Sequence, residues 1–212
     1  DTSTTAAEVT EATSLTAFNP DGFTLGSSYN SNHPSHTYVA WCWDMGGTLK
    51  GTGDFTQGTI ASTCKSNTTY GQSVVSYTGT GSAATVGHGL SGAPEMVIVK
   101  NRDATDEWNV YHANNTAAPE TDRLYLSGAG ATSDDATVWN DTAPTSTVFS
   151  IGTGNEVNTN TEKYIAYCFD SVAGYSKIGG YTGNGSSDTS TGITAAVYGI
   201  GEYVDSDGAA AS

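Results

Sequence analysis

Basic residues are scarce in this chain of 212 residues: seven Lys and Arg stand against 22 Asp and Glu, for a net charge of −15. Such a surface repels phosphate backbones and anionic lipid headgroups, so nucleic acid and membranes are not expected partners. The charge reads instead as solubility for an abundant or crowded protein. No apolar run approaches the ~20 residues of a membrane-spanning helix. The opening "DTSTTAAEVTEATSL" has neither the basic start nor the apolar centre of a signal peptide. A chain that starts on Asp points to a processed product or a segment of something longer. Cysteine is nearly missing too: Cys42, Cys64 and Cys168 show no paired spacing of the zinc or redox kind. Helical periodicity is almost absent, and only "TAAEVTEATSL", residues 5–15, reads as a helical turn or two, against its β-branched threonines.

What the chain does have is 26 glycines and many Thr, Ser and Asn between short apolar runs. That is an all-β composition with Gly/Asn turns. It predicts an antiparallel β-sandwich, jelly-roll-like, with under about a tenth of residues in helix. Residues 95–101, 107–113, 123–128, 147–152 and 163–169 read as strands bounded by turn clusters.

The sandwich is internally repeated. Phe23-Thr24-Leu25-Gly26 falls on Phe149-Ser150-Ile151-Gly152, Asn32 on Asn158, and "YVAWCWD" from Tyr38 on "YIAYCFD" from Tyr164, always 126 positions apart. A second likeness, "SVVSYTGTGS" from Ser73 with "SKIGGYTGNGS" from Ser176, places Tyr77 on Tyr181, 104 apart. Ungapped repeats of this kind mark supersecondary units that stack or exchange. The offsets predict a closing half of a first unit at 1–47, a Gly/Thr-rich connector at 48–76, a complete unit at 77–180, and opening strands of a further unit with a tail at 181–212. Half-units cannot bury their own apolar faces, so the two ends are expected either to combine into a permuted second sandwich or, the favoured reading, to pack onto the central unit or onto copies of the protein, with residues 1–16 extended along a neighbour.

Trp41 and Trp43 lie two apart on one strand face, as do Tyr167 and Phe169 in the other copy. Bulk kept at both copies reads as an inward-facing aromatic repeat closing the core, with Cys42 and Cys168 as small buried hydrophobes. The same Trp pair read as exposed would be a sugar-stacking platform.

The motifs "YTGTGSAATVGHGLSGAPEMVIVKNRDATDEWNVYH", "FNPDGFTLGSSYNSN", "TYVAWCWDMGG" and "YIAYCFDSVAGYSKIGGYTGNGS" resemble the repeated domain of virion structural proteins of marine tailed bacteriophages, of fibre or appendage type. The resemblance implies a non-enzymatic structural component of the particle, such as a capsid decoration, fibre or tail appendage. It implies assembly in many copies with other virion proteins at the virion surface. The alternative is a carbohydrate-binding module touching host surface glycan, with Trp108 and Trp139 on loops as its contacts.

Nothing in the sequence selects a catalytic group. His88 in "TVGHGL" reads as a turn histidine bonded to nearby backbone, because neither a nucleophile motif nor a metal-spaced second His accompanies it. His112 reads likewise, and His33 with His36 lacks a third metal ligand. Acidic groups at Asp134-Asp135, at Asp103 with Asp106-Glu107, and at Asp205 with Asp207 read as solvated loop charge rather than a glycosidase pair. "NPDGF" from Asn19 and "DSDG" from Asp205 are the only calcium-like loops, neither with the full ligand series, and turn-forming Asp-Gly is the stronger reading. No cofactor is expected, with calcium at one of these loops as the alternative.

Overall fold

The computed structural model describes residues 4–183; of these, 32% are in strands and 8% in short helices. The fold is all-β and antiparallel, a sandwich, as the composition predicts. The chain divides into a small unit, Glu8–Asp44, and a large one made of the remaining residues.

The small unit opens on a hairpin, β1 (Leu15–Asn19) with β2 (Gly22–Leu25), closed by Pro20-Asp21. Proline fixes the first turn residue, and the "NPDGF" loop is therefore a two-residue turn. One helical turn follows, α1 (Tyr29–Asn32), capped by the Ser28 hydroxyl that accepts from Asn30 N–H. Residues 37–44 are in no strand. The expected helical turn at 5–15 is absent, because Thr13 and Ser14 give their carbonyls to Ser28 and Gly26 and Leu15 enters β1. Residues 13–16 are thus tied within their own unit, and residues 1–3 lie outside the described part.

In the large unit, β3 (Ser62–Asn67), β4 (Gln72–Thr78), β6 (Met96–Asn101), β7 (Asn109–His112), β8 (Asp122–Tyr125), β9 (Ser133–Asp134) and β11 (Lys163–Phe169) form one sheet, ordered β3-β4-β11-β6-β7-β8-β9. A second layer pairs β5 (Ala84–Gly87) with β10 (Val148–Ile151). Single turns α2 (Ala136–Trp139) and α3 (Asn155–Asn158) flank β10. The five strands expected from the sequence are all present. The segment 48–76 is not a connector: it carries β3 and most of β4, and Phe55, Ile60 and Cys64 join the core. Its polarity misleads because β3 turns Ser62 and Cys64 inward and needs no large side chain there.

The core lies between the layers. Rows across the sheet run Ser62, Tyr77, Tyr164, Asn101 and Cys64, Val75, Ala166, Val99. Val86, Phe149 and Ile151 face them from the second layer. Tyr77 and Tyr164 stack directly opposite each other, with ring centroids 5.2 Å apart and 14° between planes. Such cross-strand aromatic pairs fix register.

This phase corrects the expected inward face of β11. Tyr164, Ala166 and Cys168 are fully buried, whereas Ile165, Tyr167 and Phe169 are half-buried on the outer face. Sandwich layers sit about 10 Å apart, and Ala166 and Cys168 share that core with Phe149 and Ile151 while Tyr164 stacks on Tyr77. Cys168 is the buried hydrophobe expected, its thiol pushed up strongly by burial. Cys42 is exposed, contrary to expectation, as are Trp41 at 74% and Trp43 at 39%. The segment that carries them has no sheet to turn toward.

Candidate interaction surface

Several hydrogen bonds of the small unit repeat ones made within residues 134–170 of the large unit. Tyr164 donates its hydroxyl hydrogen to Asn155 O at 2.6 Å and accepts from Thr159 N at 2.8 Å. Tyr38 donates to Tyr29 O at 3.0 Å and accepts from His33 N at 2.9 Å, each partner 126 positions earlier. Asn158 Nδ2 donates to Gly152 O at 2.7 Å, and Asn32 Nδ2 to Gly26 O at 2.7 Å.

Upstream the bonds continue at an offset of 124. Gly152 and Gly154 donate to Val138 and Thr137, and Gly26 and Ser28 to Ser14 and Thr13. Gly26 and Gly152 are glycines for the same reason: a Cβ would stand 2.4 Å from Thr13 O in one and 2.3 Å from Thr137 O in the other. The two copies differ in pairing, since β2 closes a hairpin with β1 whereas its counterpart β10 pairs with β5, and they differ in what covers them. Asn158 is fully buried and Asn32 is exposed. Residues 163–169 are the third strand of seven, and residues 37–43 are in no ladder.

The small unit consequently presents a run of uncovered apolar groups: Phe18, Tyr29, Val39 at 84%, and Trp41, whose ring contacts Trp43 at 6.4 Å. Large exposed apolar side chains gathered in one small unit make it a candidate interaction surface. His33 and His36 sit within it, ring centroids 4.1 Å apart, between Tyr29 and Tyr38. Their neighbours are aromatic rings, and among the described residues no group of three or more His, Cys, Asp or Glu is placed to hold a metal ion.

The other residues singled out by sequence scatter. Trp139 is 2% exposed, against the expected loop platform: it ends α2, whose first turn is capped by Asp135, and it packs edge-on against Tyr111 with 6.1 Å between centroids. Trp108 is half-buried and donates its indole N–H to Thr4 O at 3.1 Å. The two do not form one surface patch. His88 is completely buried, accepting from Leu90 N at Nδ1 and bonding Thr145 O through Nε2 at 3.0 Å, so the backbone fixes its neutral tautomer. Burial lowers its pKa, outweighing the Thr145 bond that raises it. Of the acidic groups, Asp135 caps α2 and pairs with Arg123 at 3.1 Å, and Arg123 also holds Glu156 at 3.1 Å. Asp103 and Asp106 bond Lys163 N and Asn101 Nδ2. Asp205 and Asp207 lie outside the described residues.

One carboxylate cluster escaped sequence reading. Glu95 accepts from the Ser171 N–H and hydroxyl, and Asp170 is raised by burial and by the charge of Glu95. Gly92 packs so closely that a Cβ would meet Asp170 Oδ2 at 2.4 Å. These bonds tie the end of β11 to the start of β6, which is a structural use.

Fold and surface together define a class, an antiparallel β-sandwich protein carrying a second, uncovered copy of its own closing half. The chain belongs to the family described as a domain of unknown function (DUF7483), whose model matches residues 1–195. No curated protein and no solved structure matches it.

Proposed function

We propose that the chain is a non-enzymatic structural component of a bacteriophage particle, a capsid decoration, fibre or tail appendage assembled in many copies. The observation that carries this reading is the uncovered repeat of residues 134–170, which supplies a surface for assembly and no set of converging catalytic groups. The motif resemblance to virion proteins and the strongly acidic, soluble composition support it as well. Antibodies against the large unit should label purified tailed-phage particles at many points each, with matching copy number by quantitative mass spectrometry. Recovery of the chain only from the soluble fraction of the lysate, with particles bare, refutes the proposal.

A second reading, contact with host glycan, is favoured by one observation: Trp41 is 74% exposed beside Trp43. It moves the platform from Trp108 and Trp139, one half-buried and the other buried, to this pair. Glycan arrays probed with the wild type and Trp41→Ala test it, and equal signals for the two reject it.

A further inference from the structure

We infer that residues 37–42 are an acceptor edge for strand addition by residues 177–182 of a second copy of this chain. The register is the one that β11 and β4 already use. It deepens the multi-copy reading above and rests on it.

Both segments are repeats of strands that pair in the large unit. Residues 37–42 match Lys163 to Cys168 of β11 at the 126 offset, and 177–182 match Ser73 to Thr78 of β4 at the 104 offset. The observed β11–β4 register joins Lys163 to Thr78, Tyr164 to Tyr77, Ala166 to Val75 and Cys168 to Ser73. Carried over, it joins Thr37 to Thr182, Tyr38 to Tyr181, Ala40 to Gly179 and Cys42 to Lys177. In the single chain neither segment is in a strand, with Val39 84% and Tyr181 73% exposed, and the donor is taken from a second copy because the multi-copy reading above supplies one.

Three details agree with this. Tyr38 is already anchored as Tyr164 is, so its ring waits where Tyr164 stacks on Tyr77. Tyr77 also donates its hydroxyl hydrogen to Val157 O at 2.8 Å; the counterpart carbonyl for Tyr181 is that of Ser31, in the same turn geometry, Ser31 N donating to Ser28 O as Val157 N does to Gly154 O. Finally, the donor carries Lys177 and no acid, and Asp44 stands two residues past the acceptor edge. The register places those two charges diagonally on one face, within reach of each other. Trp41, like Tyr167, would stay on the outer face, so pairing leaves the aromatic surface open.

Cys42 makes the register testable. In an antiparallel pair directly opposed Cβ atoms lie about 4.5–5.5 Å apart, close to disulfide reach, and Cys64 and Cys168 are buried and do not compete. Lys177→Cys, mildly oxidised, should give disulfide-linked dimers and longer species on non-reducing gels, abolished by Cys42→Ser. Ile178→Cys, which faces the other side, should cross-link at least tenfold less. Tyr181→Ala should weaken association at least tenfold in sedimentation while far-UV dichroism stays unchanged. Self-association of Lys177→Cys with no disulfide from Cys42 to position 177, with equal cross-linking at 177 and 178, or with a disulfide closing inside one chain overturns this inference and leaves multi-copy assembly standing. A chain monomeric at every concentration overturns both.

Discussion

Substituting Asn158 by Ala, and in parallel its repeat Asn32, measures what covering the closing half contributes. Asn158 is fully buried, and its side chain makes three bonds: Nδ2 to Ser82 O and Gly152 O at 2.7 Å each, and Oδ1 from Thr80 N at 2.8 Å. Each such bond is worth about 1 kcal/mol net, and a buried partner left unsatisfied costs about 1–3 kcal/mol. With water reaching some of the freed groups at the turn, the sum for Asn158→Ala is about 3–5 kcal/mol, a large share of the about 5–15 kcal/mol that holds a domain. Asn32 makes one exposed bond, to Gly26 O at 2.7 Å, and Asn32→Ala should cost under about 1 kcal/mol because water replaces it. Urea unfolding at a concentration below self-association, followed by tryptophan fluorescence with Trp139 reporting the large unit and Trp41 and Trp43 the small one, gives both numbers from the midpoint shift at constant slope. Asn158→Asp should be worse than Ala, since it sets a carboxylate against two carbonyls. If Asn158→Ala costs under about 1 kcal/mol, or if the two alanine variants cost the same, then the bonds at Asn158 do not hold the turn and the repeat is not covered unevenly.

Other outcomes follow from the same contacts. Trp139→Ala should cost about 3–5 kcal/mol as a large-to-small core change, and Trp41→Ala should stay within about 0.5 kcal/mol as a surface one; thermal melts of the two separate core from surface. Gly152→Ala should unfold or strongly destabilise the large unit, because its Cβ would stand 2.3 Å from the Thr137 carbonyl, and soluble yield with a near-UV dichroism spectrum checks it. His88 has a folded pKa below its ordinary 6.5, so the unfolded chain binds the extra proton and stability falls as pH drops below about 6.5. That slope is at most about 1.4 kcal/mol per pH unit for one proton, and it should shrink in His88→Asn when urea midpoints are compared between pH 7.5 and 5.5.

Strands bounded by Gly and Asn turns were legible in the sequence because each turn residue carries its own backbone preference. β3 was not: "STCKSN" alternates small with polar side chains, and only the facing layer reveals that Ser62 and Cys64 point inward. The face of β11 was not legible either. Every residue of "YIAYCF" is aromatic, apolar or small, so alternation carries no phase, and only the structure shows that Tyr164, Ala166 and Cys168 join Phe149 in the core. Trp139 read as a loop residue because α2 is a single turn, too short for a periodic signal. The 126-residue repeat was visible from side chains alone. Its upstream continuation was hidden by a two-residue change of offset and by replacements such as Leu15 for Trp139, and it emerged only from the backbone bonds of Gly26 and Gly152. Trp41 and Trp43 were misplaced by the same repeat. Identity with β11 was real, but burial in β11 comes from β4 and β6 on either side, which a repeat of one strand does not bring with it.

One acceptor and one donor per chain make the inferred contact heterologous, since the surface used on one copy differs from that on the next. Contacts of that kind close into a ring where the rotation returns on itself and otherwise grow as a filament. Strand edges that grow freely are also an aggregation hazard, and two features restrain it. The Tyr38–Tyr181 pair must land opposite each other to stack as Tyr77 and Tyr164 do, so a slip by one residue puts both rings on wrong faces. The net charge of −15 sets copies against one another wherever the strands do not meet. Raising salt should therefore speed association of the wild type by screening that repulsion, while Tyr181→Ala should associate slowly at every salt concentration. Stopped-flow light scattering from low salt to about 0.5 M, where screening is nearly complete, reads both; an equal salt response in which the variant matches the wild type would show that charge alone, and not the tyrosine register, controls assembly.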